Sequence, residues 1–148
     1  MKSIKFSALF LLLVLGLSSC KYEEGPLISF TPREERVANT WIVSRAVVNG
    51  EVSSSLSDFT SITFTKGGND VNFQRTWIGI PYTLVGDWSF NDDNTIIRMN
   101  LVDEGTGLLS FDFEWTIRKL KEDELWVTYT EVEGSETNSY QVELVPEN

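Results

Sequence analysis

The sequence of 148 residues contains no histidine. That removes the commonest general base, the Ser-His-Asp arrangement and most transition-metal sites. Asp112 and Glu114 stand two residues apart, the kind of acid pair that glycoside hydrolysis requires. They alternate with Phe111, Phe113 and Trp115, so in a strand they occupy the face opposite the apolar one and meet water. Asn91-Asp92-Asp93-Asn94 offers oxygen ligands of the sort calcium takes, but without the spacing of an EF-hand loop. The same four residues are what a tight turn prefers. Gly67-Gly68 has no helix after it to cradle a phosphate. The residues therefore predict no metal, no cofactor and no enzymatic centre.

Arg75 is the polar residue with the most to do. It falls in register with Val71, Phe73 and Trp77, so alternation points it inward among apolar side chains. An inward arginine near the end of a sheet could hold a ligand carboxylate by a two-pronged contact. The alternatives are that the strand bulges or ends first, or that Arg75 pairs with an acid of its own domain. With Trp77, Trp88, Phe111 and Phe113 it makes the candidate ligand-binding set.

Cys20 is the only cysteine, so no disulfide can form within the chain. Lys2 and Lys5 precede an apolar run from Phe6 to Leu17, 12 residues long, against about 20 for a membrane span. A basic start, a short apolar run and a small-residue exit describe a secretory signal. Leu17-Ser18-Ser19-Cys20 resembles the lipobox of bacterial lipoproteins, in which the thiol is acylated and cleavage leaves the cysteine first. The expected organisation is signal peptide over 1–19, lipidated Cys20 and tether over 20–30, and a folded domain over 31–148. One acyl chain holds only marginally, so two or three make the anchor. Lys21-Tyr22-Glu23-Glu24 resembles the surface-export signal of Bacteroidetes-type lipoproteins, or is simply a solvated tether. Outer-membrane anchoring is expected, periplasm-facing or surface-exposed.

The chain has 12 Lys and Arg against 22 Asp and Glu, a formal charge of −10, and loss of Lys2 and Lys5 takes it to −12. Such a surface repels phosphate backbones and anionic headgroups, which excludes nucleic acid as a partner. The acyl chains, rather than a basic face, must hold the protein at a membrane.

Thr31-Pro32-Arg33-Glu34 reads as a capping box opening a helical turn over Pro32 to Ala38. The period then changes to two. Trp41 to Val48 is a strand ending at Asn49-Gly50, a favoured hairpin dipeptide. Ile62 and Phe64 mark a second strand, Val71 to Trp77 a third, Leu84 to Phe90 a fourth and Ile97 to Leu101 a fifth. Leu109 to Arg118 alternates over ten residues and is the plainest of all. Leu125 to Val132 and a last strand with Tyr140, Val142 and Leu144 inward complete eight. An all-β, eight-stranded antiparallel up-and-down barrel removes every exposed edge from such a set. Its predicted interior is heavy in Phe and Trp, which leaves it filled or with a small cavity at one mouth.

Val37-Ala38-Asn39-Thr40-Trp41, Gly86-Asp87-Trp88-Ser89-Phe90-Asn91-Asp92-Asp93 and Lys119-Leu120-Lys121-Glu122-Asp123-Glu124-Leu125 resemble the lipocalin-like domain of Bacteroidetes lipoproteins, over about residues 36–146. Lipocalins usually carry Gly-x-Trp at the first strand, where this chain has Asn39-Thr40-Trp41. The resemblance implies a barrel and an apolar ligand and assigns no catalytic residue. The expected function is a membrane-anchored lipoprotein whose barrel binds a small apolar ligand or a partner protein. The alternative is an accessory subunit of an outer-membrane complex, with a filled barrel and no ligand.

Overall fold

The computed structural model describes residues 30–53, 56 and 58–148; Cys20, the expected signal peptide over 1–19 and all but the last residue of the expected tether lie outside them. The order is α1 (Arg33–Val37), β1 (Thr40–Val48), β2 (Glu51–Ser53), β3 (Phe59–Phe64), β4 (Asp70–Trp77), β5 (Ile80–Phe90), β6 (Ile96–Asp103), β7 (Ser110–Leu120), β8 (Leu125–Glu133) and β9 (Glu136–Pro146). Neighbours pair antiparallel from β3 through β9, and β9 returns to β1 from Trp41↔Pro146 to Val48↔Tyr140. The result is a closed eight-stranded up-and-down barrel.

β2 is a ninth, short strand without a periodic signal of its own. Asn49 and Gly50, both left-handed at φ 51° and 87°, fold it back onto β1 through Val48↔Glu51, the geometry of a two-residue hairpin. β1 and β3 pair only at Thr40↔Thr63 and Trp41↔Ile62, so β2 lies along the part of β1 that β3 leaves bare.

The inward positions alternate as a half-wet sheet requires. Trp41, Ile62, Phe64, Phe73, Leu84, Trp88, Met99, Trp115, Val127 and Leu144 are among the buried core. Aromatic rings fill most of the interior: Phe64 meets Trp88 edge-on at 5.4 Å and Trp115 at 6.3 Å, and Tyr129 stacks between Trp115 at 5.7 Å and Tyr140 at 4.7 Å. Edge and offset contacts of this kind add to area burial. At Gly86 an added Cβ would overlap the carbonyl oxygen of Asn100 on β6, so only glycine lets β5 and β6 approach there.

The two ends of the barrel differ. At one end α1 closes the interior: Trp41 Nε1 donates to Val37 O at 2.8 Å, and an Arg36 guanidinium nitrogen donates to Leu120 O at 2.8 Å. The expected capping box does not form. Pro32 is the cap residue and no side chain caps the helix; the Thr31 hydroxyl instead donates to Glu122 Oε1 across the β7–β8 turn at 2.6 Å. Asn39 Oδ1 accepts from Thr40 N at 2.8 Å.

At the other end the β4–β5, β6–β7 and β8–β9 connections surround an opening. The β7–β8 ladder stops at Thr116↔Thr128, whereas β6 pairs β7 up to Ser110 and β8 pairs β9 up to Glu133. The wall therefore parts between Ser110–Trp115 and Tyr129–Glu133. Toward the closed end, a bulge after Ile117 moves Lys119 out of the inward row to pair with Trp126, leaving the inward place to Leu120; Lys119 is nonetheless buried there. Its ammonium meets Glu124 at 3.0 Å and the Trp126 ring at 3.9 Å.

Candidate functional site

Four of the five candidate ligand-binding residues come together at the open mouth. Arg75 and Trp77 close β4, Phe111 and Phe113 open β7, and with Tyr82, Tyr129, Asp58 and Glu131 they line a cavity of about 430 Å³. Trp88 is not among them. It is buried 3% exposed in the packed interior, edge-on to Phe64 and to Phe90 at 5.5 Å. Strand alternation places both tryptophans inward but cannot say how far along the barrel the filled core extends.

Trp77 lies beyond that core. It is 67% exposed, at the rim rather than inside. Ile78 and Gly79 make the two-residue turn after it with φ 49° and 76°, an unfavourable conformation for a β-branched residue. Ile78, Ile80, Leu108 and Leu109 are also exposed on the same rim. Trp77, Ile80, Tyr82, Leu109 and Phe111 line a second hollow of about 450 Å³, bounded by Asp103 and Thr106. It shares Trp77, Tyr82 and Phe111 with the first. The rim thus carries a continuous apolar surface of the sort that soluble domains use for binding.

Arg75 points into the mouth and is engaged there by its own domain. Its side chain is 15% exposed, ion-paired with Asp58 and 3.9 Å from Glu131. Its guanidinium carbon lies 5.3 Å from the Phe73 ring centre, and its Nε is buried without an acceptor. Burial pulls its pKa down, but the charge and hydrogen bond of Asp58, with help from Tyr82 and Glu131, outweigh that and raise it. The guanidinium is permanently charged. Burial, with the nearby charge of Glu131, raises the Tyr129 phenol well above its ordinary range, so this hydroxyl stays protonated.

Asp112 and Glu114 flank the parting of β7 and β8 on the outer face, both exposed. Glu114 Oε1 accepts from Arg98 Nε at 2.8 Å across the β6–β7 ladder, the arrangement of a solvated cross-strand pair. Asn91 to Asn94 forms the β5–β6 turn. Asn91 Oδ1 accepts from Thr95 N at 2.8 Å and Ile96 N at 2.9 Å, and Asn94 is left-handed at φ 53°. Among the described residues no group of three or more His, Cys, Asp or Glu is placed to hold a metal ion.

Sequence reasoning passed over four residues of this mouth. Tyr82 shares a strand face with Leu84, and Tyr129 and Glu131 share one with Val127, so alternation was signal enough for these. Asp58 sits in an irregular connection 17 residues before Arg75, where no periodicity marks it.

Comparison with protein-family profiles and with curated proteins returns no match. Among solved structures the chain is similar to the complex of bovine odorant binding protein with a selenium-containing odorant. The TM-score is 0.50 at 12% identity, covering 82% of this chain and 76% of that one. The likeness is one of fold: among the described residues, a lipocalin-like barrel of eight antiparallel strands with one short helix.

Proposed function

We propose that this protein is a lipid-anchored binding protein of the bacterial envelope that takes a small apolar ligand at the open mouth of its barrel. The observation that carries the reading is the aromatic cavity between Arg75, Trp77, Phe111 and Phe113, continuous with an apolar rim. Uncovered apolar surface in a concave site gains by accepting an apolar body, at about 25 cal/mol per Å² removed from water. The anchor rests on Leu17-Ser18-Ser19-Cys20 behind a short apolar run. The ligand occupies the mouth and not the centre of the barrel, because rings already fill the centre.

N-phenyl-1-naphthylamine, a neutral apolar fluorophore, tests the site. Its emission should rise on mixing with the protein, and Phe111→Asp should abolish the rise. No enhancement, or enhancement indifferent to Phe111→Asp, would overturn the reading. The anchor is tested apart: Cys20→Ala should move the protein from the membrane to the soluble fraction, and continued membrane association would contradict acylation.

A second reading, an accessory subunit docking on another envelope protein, draws on Ile78 and Leu108, which project from the rim at 81% and 86% exposure. In that case Ile78→Asp would break an assembly and leave fluorophore binding at the mouth unchanged.

A further inference from the structure

The charges around the mouth select among apolar ligands. Asp58 and Glu131 line the cavity, and Asp112 and Glu114, on the outer face of β7, border it where β7 and β8 part; against the single guanidinium of Arg75 the four make a formal −3. Arg98, on the outer face of β6, offsets Glu114 and leaves −2. Arg75, the one group that would welcome an anion, is held by Asp58 and lies beside Glu131. A ligand carboxylate would have to displace an acid from it while entering an acidic field.

We infer that the ligand of this mouth is an apolar molecule with a cationic head, an alkyl- or arylammonium, and not a carboxylate. The inference rests on the mouth being the ligand site. The ring faces of Trp77, Phe111 and Phe113 attract a cation as well as an apolar body. The chain supplies its own example, because the Arg75 guanidinium already lies against the Phe73 ring. The neutral Tyr129 hydroxyl can accept a hydrogen bond from an ammonium without adding charge. The formal charge of −10 on the whole chain draws cations toward the site from a distance.

Three probes that share one ring system and differ in the head decide the matter: 1-naphthylmethylammonium, 1-naphthalenemethanol and 1-naphthoate, titrated calorimetrically into the purified protein at pH 7. The ammonium should bind about tenfold tighter than the alcohol, equivalent to ~1.4 kcal/mol, and the naphthoate more weakly than either. The preference should shrink at high salt. Asp112→Asn should narrow the gap between ammonium and alcohol and leave the alcohol unchanged, and Arg75→Gln should tighten the ammonium. Equal binding of ammonium and alcohol, or tighter binding of naphthoate that Arg75→Gln removes, would overturn the inference and leave the apolar site standing. No heat with any of the three, together with no displacement of N-phenyl-1-naphthylamine by any of them and no fluorescence rise from that fluorophore itself, would overturn both.

Discussion

Replacing Arg75 with methionine removes the one guanidinium of the mouth and keeps most of its aliphatic stem. Three contacts are lost. The Asp58 side chain is 43% exposed, so its carboxylate stays hydrated when its partner leaves, and such a pair is worth about 0–1 kcal/mol. Glu131 is less exposed but 3.9 Å away, and its attraction adds a fraction of that. The contact with Phe73 adds about 0.5–1 kcal/mol. Against these, the Arg75 Nε is buried without an acceptor, and removing an unmet buried donor returns about 1–3 kcal/mol. The terms nearly cancel, and Arg75→Met should lie within about 1 kcal/mol of the parent. Urea unfolding reads this as a small midpoint shift at constant m-value. A double-mutant cycle with Asp58→Asn should give a coupling below about 1 kcal/mol. A loss of about 3 kcal/mol or more would refute the reasoning, since only an ion pair cut off from water costs that much to break.

Other substitutions probe the scaffold. Gly86→Ala pushes a Cβ into the Asn100 carbonyl and should cost about 1–3 kcal/mol, read from thermal melting; an unchanged melting temperature would mean that β5 and β6 can separate freely. Ile78→Asn relieves a left-handed β-branched residue at the hairpin tip and should stabilise by about 1 kcal/mol; destabilisation would show that Ile78 is buried against something. The Lys119 hydrogen bond lowers the Glu124 pKa, against a smaller burial effect and with help from Lys121. Its contribution to stability is present above the ordinary glutamate range and is lost as pH falls through the lowered folded value. Glu124→Gln should therefore cost about 1 kcal/mol at pH 7, discounted for an exposure of 31%. That difference should vanish in acid, and a pH-independent cost would sink the assignment.

Much of the barrel is legible in the sequence because alternation and turn chemistry are local. Asn49-Gly50 and Asn91 to Asn94 mark their turns by composition, and Phe111, Phe113, Trp115 and Ile117 share one face for as long as β7 stays regular. What lies beyond local pattern is harder. Nothing in the alternation of β7 and β8 says that their ladder ends at Thr116↔Thr128, because strand separation depends on how the neighbours twist. Strict alternation would carry Lys119 inward after Ile117; the bulge instead pairs it with Trp126 and gives the inward place to Leu120. Thr31 has the spacing of a cap, but Glu122, 91 positions away, takes its hydroxyl. At the site, period two places Arg75 and Trp88 correctly inward. It cannot show that Asp58 engages the first, that Phe64 and Phe90 cover the second, or that Trp77 reaches past the core to the rim.

In the proposed function an apolar ligand enters at the mouth and leaves the filled centre alone. The five tryptophans make five indole N–H reporters. In a ¹H–¹⁵N titration with 1-naphthalenemethanol, the Trp77 indole resonance should move progressively to saturation, while Trp41 and Trp88 hold their positions. Movement of Trp88 with Trp77 fixed, or no movement at any indole, would contradict a ligand site at the mouth.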